Sequence, residues 1–122
     1  MVERLKAVRG ATTVGRDDAV DIGDATTELL HLMMRRNDIV KSDLVSIIFT
    51  ATPDLVSDFP AAAARRMGLG DIPLLCAREL DVAGSVPMCI RVLIHLYTER
   101  DYGSLRHVYL RGASTLRDDL PE

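Results

Sequence analysis

Leu44-Val-Ser-Ile-Ile-Phe-Thr50 is apolar and β-branched, the mark of a buried strand. Ala51-Thr-Pro-Asp54 breaks it, since proline cannot donate to a strand ladder. Upstream, Leu5 to Val14 reads as a first strand that ends in the polar pair Thr12-Thr13. Between the two strands, Asp17 or Asp18 can cap a helix that runs to about Arg36. Ile22, Ala25, Leu29 and Met33 recur at helical spacing and form its buried stripe. Gly23 costs such a helix up to ~1 kcal/mol against alanine, so tertiary packing must hold that turn. Arg35 and Arg36 suit the negative end of the helix dipole.

Downstream, Phe59-Pro-Ala-Ala-Ala-Ala-Arg-Arg-Met67 reads as a short helix, with Pro60 in its first turn and Gly68 as its stop. Ile72 to Ala77 is a third strand, and Asp81-Val-Ala-Gly-Ser85 a turn. From about Ser85 to Arg100 the reading is a second long helix with Pro87 in its first turn. Leu105 to Arg111 is a fourth strand, and Ser114 to Glu122 a mobile polar tail. The order β-α-β-α-β-α-β predicts one α/β or α+β domain over residues 1–122, a mixed four-stranded sheet with helices on one face. The other face needs a cover, and symmetric self-association is the simplest one.

Composition narrows the function. The chain has 122 residues, enough to bury a core without staples. It has no Trp and few aromatics, so the core must be aliphatic. A net charge of −3 argues against a nucleic-acid partner, which usually leaves a basic domain. No apolar run approaches the ~20 residues that cross a bilayer, and the polar start Met1-Val-Glu-Arg-Leu-Lys-Ala-Val-Arg9 is not a signal peptide. Cys76 and Cys89, the only cysteines, then read as reduced thiols of a cytoplasmic protein. His31, His95 and His107 lack metal-ligand spacing, so no metal site is expected. Thirteen of the 15 basic residues are Arg, the exceptions being Lys6 and Lys41. Codon bias in a GC-rich genome produces such a skew; so does a need to grip carboxylates or phosphates, where a planar fork beats a point charge.

The chemistry is sought among polar residues set in apolar stretches, where burial without a partner is costly. Four stand out: Arg9 after Ala7-Val8, Glu79 after Cys76-Ala-Arg78, Arg91 within Met88-Cys-Ile-Arg-Val-Leu-Ile94, and Tyr109 within Arg106-His-Val-Tyr-Leu110. A plain alternative pairs Arg91 with Glu79 in a buried salt bridge and leaves Tyr109 in the core. Cys76 with His107 as base is the one nucleophilic pairing on offer, and no nucleophile signature surrounds it. Gly68-Leu-Gly70 lacks the spacing of a phosphate loop. Several Arg, a Glu and a Tyr without a nucleophile suit a small polyanion and catalysis by placed charge.

Val8-Arg-Gly-Ala-Thr-Thr-Val14, Ala51-Thr-Pro-Asp-Leu55 with Phe59-Pro60-Ala61, Cys76-Ala-Arg-Glu-Leu-Asp81, Cys89-Ile-Arg-Val92 and Arg106-His-Val-Tyr-Leu110 together resemble the monofunctional chorismate mutases of the AroH class. Each block alone is weak; the set, in the family's order over residues 8–117, is specific. The resemblance implies an isomerase of aromatic amino acid biosynthesis that rearranges chorismate to prephenate with no cofactor and no metal. It implies a homotrimer with a pseudo-α/β-barrel centre and sites between subunits, without nucleic-acid or membrane partners. Arg9, Arg91 and Tyr109 would hold the pyruvyl side of the substrate, with Arg91 also on the ether oxygen. Glu79 and the Cys76 region would meet the ring hydroxyl, and Phe59 would wall the ring. Ala61, Leu75 and Leu116 complete the expected binding set. Arg65 and Arg117 would lie at the mouth, Arg117 in a tail that orders on binding. Ala62 and Leu75 depart from the family, where Lys and Thr are expected. Small trimers of the YjgF type share the architecture and are the competing reading; Arg91 after Glu-Leu-Asp together with Arg-His-Val-Tyr-Leu favours the mutase.

Overall fold

A computed structural model describes residues 2–116. Five strands form one mixed sheet in the order β3-β2-β4-β1-β5: β1 Arg4–Thr13, β2 Leu44–Ala51, β3 Leu74–Arg78, β4 Cys89–Thr98 and β5 Val108–Tyr109. β4 lies between β1 and β2 and runs antiparallel to both. β3 is parallel to β2, and β5 to β1. Helix α1, Ala19–Arg36, and the short α2, Ala61–Ala64, lie against one face. The mixed sheet with helices on one face is the fold class that the sequence implies, with one strand more.

The extra strand corrects the reading of Ser85 to Arg100 as a helix. From Cys89 the apolar pattern has period two: Ile90, Val92, Ile94 and Leu96 are all buried, while Arg91, Leu93, His95 and Tyr97 point the other way. That alternation, with β-branched Ile90, Val92 and Ile94 on one side, is a strand's. Arg91 is therefore a strand residue. The last strand is also shorter than the expected Leu105 to Arg111. Only Val108 and Tyr109 pair with β1, because buried Asn37, at the C-terminal end of α1, grips the chain just before them. Its amide donates to the carbonyls of Met33 and Arg106, each at 2.8 Å, and its oxygen accepts the Arg106 N–H at 2.6 Å.

The core sits between α1 and the inner face of the sheet. Ile22, Ala25, Leu29 and Met33 are buried as their spacing predicts, against Val8, Ile47, Phe49, Ile90, Val92 and Ile94. Asp18 caps α1, its carboxylate accepting the N–H groups of Val20 and Asp21. The Arg66 guanidinium passes over Gly23, where a Cβ would stand 2.5 Å from its end and displace it. α2 continues through a wide turn, Arg65–Leu69, and Gly68, with φ of 87°, adopts the left-handed conformation that stops it. The outer face is covered only at one end, where Ala113 packs on Ala11 and Cys89. Elsewhere on it Leu5, Leu75 and Tyr97 are 53%, 61% and 50% exposed.

Candidate active site

Strand pairing puts the polar residues in register. Thr50 of β2 and Ala11 of β1 both lie opposite Arg91 of β4, and Tyr109 of β5 lies opposite Ala11. One row across the outer face thus reads Thr50, Arg91, Ala11, Tyr109. Arg9 is two residues along β1, on the same face. Glu79 follows β3, held where its N–H donates to the Ala51 carbonyl at 2.9 Å. Arg9, Glu79, Arg91 and Tyr109 line a single cavity of about 270 Å³ with Gly10, Ile48, Thr50, Val92 and Leu93. All four residues singled out from the sequence meet there, although they come from four separate segments.

The charges in this cavity are only loosely paired. Arg91 Nε stands 3.5 Å from Glu79 Oε2, longer than a charge-assisted hydrogen bond. The two side chains are 45% and 25% exposed, so the pair is not the buried salt bridge that the plain alternative requires. Glu79 is steadied instead by Thr50, whose hydroxyl donates to the same oxygen at 2.5 Å. Thr50 is a site residue the sequence reading missed. It obeys the rule that found the others, a polar group in an apolar strand.

Cys89 precedes Arg91 by two residues on the same face of β4 and is 2% exposed. Burial pushes its thiol up, while Arg91 pulls the other way, leaving a neutral thiol beside the guanidinium. Tyr109 and Leu116 pack on the small cluster of Ala11, Cys89 and Ala113. The Arg9 backbone N–H donates to His107 Nδ1 at 2.9 Å, which fixes the approach of that segment to β1.

The remaining expected residues lie elsewhere. Phe59 and Cys76 line a second cavity, about 460 Å³, with Arg78, Phe49 and Ala51, on the opposite side of β2 from Ile48 and Thr50. Phe59 is 66% exposed there. Ala61 is buried within α2, Leu75 stands on the exposed face of edge strand β3, and Arg65 is exposed at the end of α2. None of these three lines either cavity. Arg117 and most of the expected tail lie outside the described residues. Cys76 and His107 belong to opposite edges of the sheet, so they form no nucleophile–base pair within this chain. Among the described residues no cluster of His, Cys, Asp and Glu could hold a metal ion.

A helix-backed mixed sheet whose outer face gathers two Arg, a Glu and a Tyr around a small cavity can hold a small polyanion by charge. The sequence matches the family described as chorismate mutase type I over residues 5–120, and the chain belongs to that family. It is 48% identical to chorismate mutase AroH of Thermus thermophilus over 117 residues, 95% of this chain and 96% of the relative. It is 39% identical to chorismate mutase AroH of Bacillus subtilis strain 168 over 117 residues, 95% and 92% of the two chains. Its fold matches a chorismate mutase from Clostridium thermocellum with a TM-score of 0.89 at 46% identity, covering 90% of this chain and 98% of the other.

Proposed function

We propose that this chorismate mutase converts chorismate to prephenate by placed charge, in sites completed by neighbouring copies of the chain. The reaction is a unimolecular Claisen rearrangement: one C–O ether bond breaks as one C–C bond forms, and no proton moves. The observation that carries the reading is the meeting of Arg9, Glu79, Arg91 and Tyr109 in one cavity. Arg9 and Tyr109 hold the pyruvyl carboxylate side, so the flexible dianion is kept in its compact, reactive conformer. Arg91 meets the negative charge that grows on the ether oxygen. Its loose contact to Glu79 leaves the guanidinium able to turn to a substrate. Glu79, oriented by Thr50, takes the ring hydroxyl.

The assembly is a homotrimer with a barrel-like centre, one domain per chain. Two features support this. The outer face exposes Leu5, Leu75 and Tyr97, an apolar surface that water does not favour. Phe59 and Cys76 occupy a different cavity from the Arg-Glu-Tyr group, so a wall for the ring comes from a second copy. Arg65, Ala61, Leu75 and Leu116 join the site in that assembly. The enzyme works in the cytoplasm; its two cysteines are free thiols, and no helix among the described residues is long and apolar enough to cross a membrane.

The test is loss of chorismate absorbance on adding purified protein, with the oligomeric state measured by sedimentation at the same concentration. Rapid turnover by a trimer is expected. No turnover would overturn the activity, and a fully active monomer would overturn the shared sites.

A further inference from the structure

We infer that Asp54 is a positioning residue for Arg91, acting through the backbone of Met88; the inference rests on the role of Arg91 proposed above. Met88 has a φ of 53°, the left-handed region, which a residue with a side chain adopts only when its surroundings hold it there. It immediately precedes β4, three residues before Arg91.

What holds it is a small polar network centred on Asp54. One carboxylate oxygen accepts the Met88 N–H at 2.9 Å. The other accepts the Thr52 hydroxyl at 2.5 Å. A threonine hydroxyl has one proton to give and lone pairs to spare. With that proton committed to Asp54, Thr52 Oγ1 accepts the Cys89 N–H at 2.9 Å. The Thr52 N–H donates to the Cys89 carbonyl at 3.0 Å, and the Val14 N–H to the Met88 carbonyl at 2.8 Å. Asp54 therefore satisfies one N–H at the entry of β4 directly and aims the hydroxyl that satisfies the next. The entry angle of the strand decides where Arg91 points.

Without the carboxylate, Met88 N–H loses its acceptor and the Thr52 proton is free to turn. Met88 then relaxes toward negative φ, which rotates the peptide into Cys89 and swings the start of β4. Arg91 moves off the position where charge develops, and the loss falls on the chemical step.

Steady-state kinetics on the assembled enzyme, well below its melting temperature, tests this with four variants. Asp54→Ala should lower kcat about tenfold with KM within about twofold, less than the ~10²-fold that a 1 Å misplacement can cost. Met88→Gly removes the conformational penalty, so it should change kcat less than about twofold alone and bring Asp54→Ala back to within about threefold of the parent. Asp54→Asn keeps the shape and one acceptor, and should lose about threefold, which keeps the test open if Asp54→Ala does not fold. Arg91→Gln runs beside them. A folded Asp54→Ala with kcat near the parent, or one that Met88→Gly fails to restore, overturns the positioning role. If Arg91→Gln itself keeps parental kcat, the reading of Arg91 fails and the inference falls with it.

Discussion

The two faces of the sheet share every strand yet do opposite work. On the inner face Val8, Ile47, Phe49, Ile90, Val92, Ile94 and Val108 are almost fully excluded from water by α1 and its neighbours. On the outer face the alternate residues of the same strands include Arg9, Thr50, Arg91 and Tyr109, still open to solvent or only partly covered. Adjacent residues of one strand thus divide stability from chemistry, because side chains alternate across a sheet. A charge is affordable on one face because the other face supplies the apolar burial.

The comparison is sharpest at Arg91. A lost neutral donor in such a site costs ~10²–10³ in kcat, and a lost cation at least that. Arg91→citrulline keeps shape and some donors, so the expected result is a folded enzyme that binds chorismate with kcat down at least ~10²-fold. Arg91→Lys keeps charge without the fork and should be partly active. A citrulline variant within about tenfold of the parent would refute the electrostatic role.

Two neighbours in β4 test the division itself. Ile94→Ala on the inner face should cost ~2–5 kcal/mol of stability in denaturant unfolding. Leu93→Ala, one residue away on the outer face, should barely move unfolding of the separated chain but should shift assembly to higher protein concentration. Equal losses from the two would show that both faces are core in the single chain.

A smaller effect is expected at Asp17, which ties the loop leading to Phe59 to the start of α1. Its carboxylate accepts the N–H groups of Val56 and Ser57, each at 3.0 Å. The Val56 N–H is the main reason its pKa lies below the ordinary value. A carboxylate whose folded pKa is depressed stabilises the fold above its unfolded value of about 3.9, and the contribution disappears as pH falls through the folded value. Asp17→Ala should therefore lower the melting temperature by a constant amount from pH 5 to 8, and the gap should close in stronger acid. A gap that persists in full at low pH would mean that the loop is held by something else.

The smallest expected change is in kcat with pH. No proton transfer is proposed and Arg stays charged, so kcat should be nearly flat from about pH 6 to 9. A bell-shaped profile centred near neutrality would indicate an acid–base pair in the site.

Arg9, Glu79, Arg91 and Tyr109 were legible in the sequence because each is a polar residue with no local reason to sit in an apolar run. The stripe of α1 and the strand Leu44 to Thr50 were legible because their patterns are local. Arg91 was assigned the wrong element all the same. Pro87, Met88 and a largely apolar run resemble a helix start, and only the alternating burial of Ile90, Val92, Ile94 and Leu96 separates the alternatives. Phe59 and Cys76 were tied to the site by resemblance alone, and one chain keeps them on the far side of β2.

By itself, then, the sequence determined which residues seek burial and which polar residues resist it, since hydrophobic periodicity and residue chemistry are local properties. Only the tertiary structure decided that Arg91 stands between Thr50 and Ala11, with Tyr109 one strand further on. That row depends on the strand order β3-β2-β4-β1-β5, in which β4 inserts between β1 and β2. Such pairing joins residues from about forty to nearly a hundred positions apart, through backbone hydrogen bonds that carry no side-chain signature.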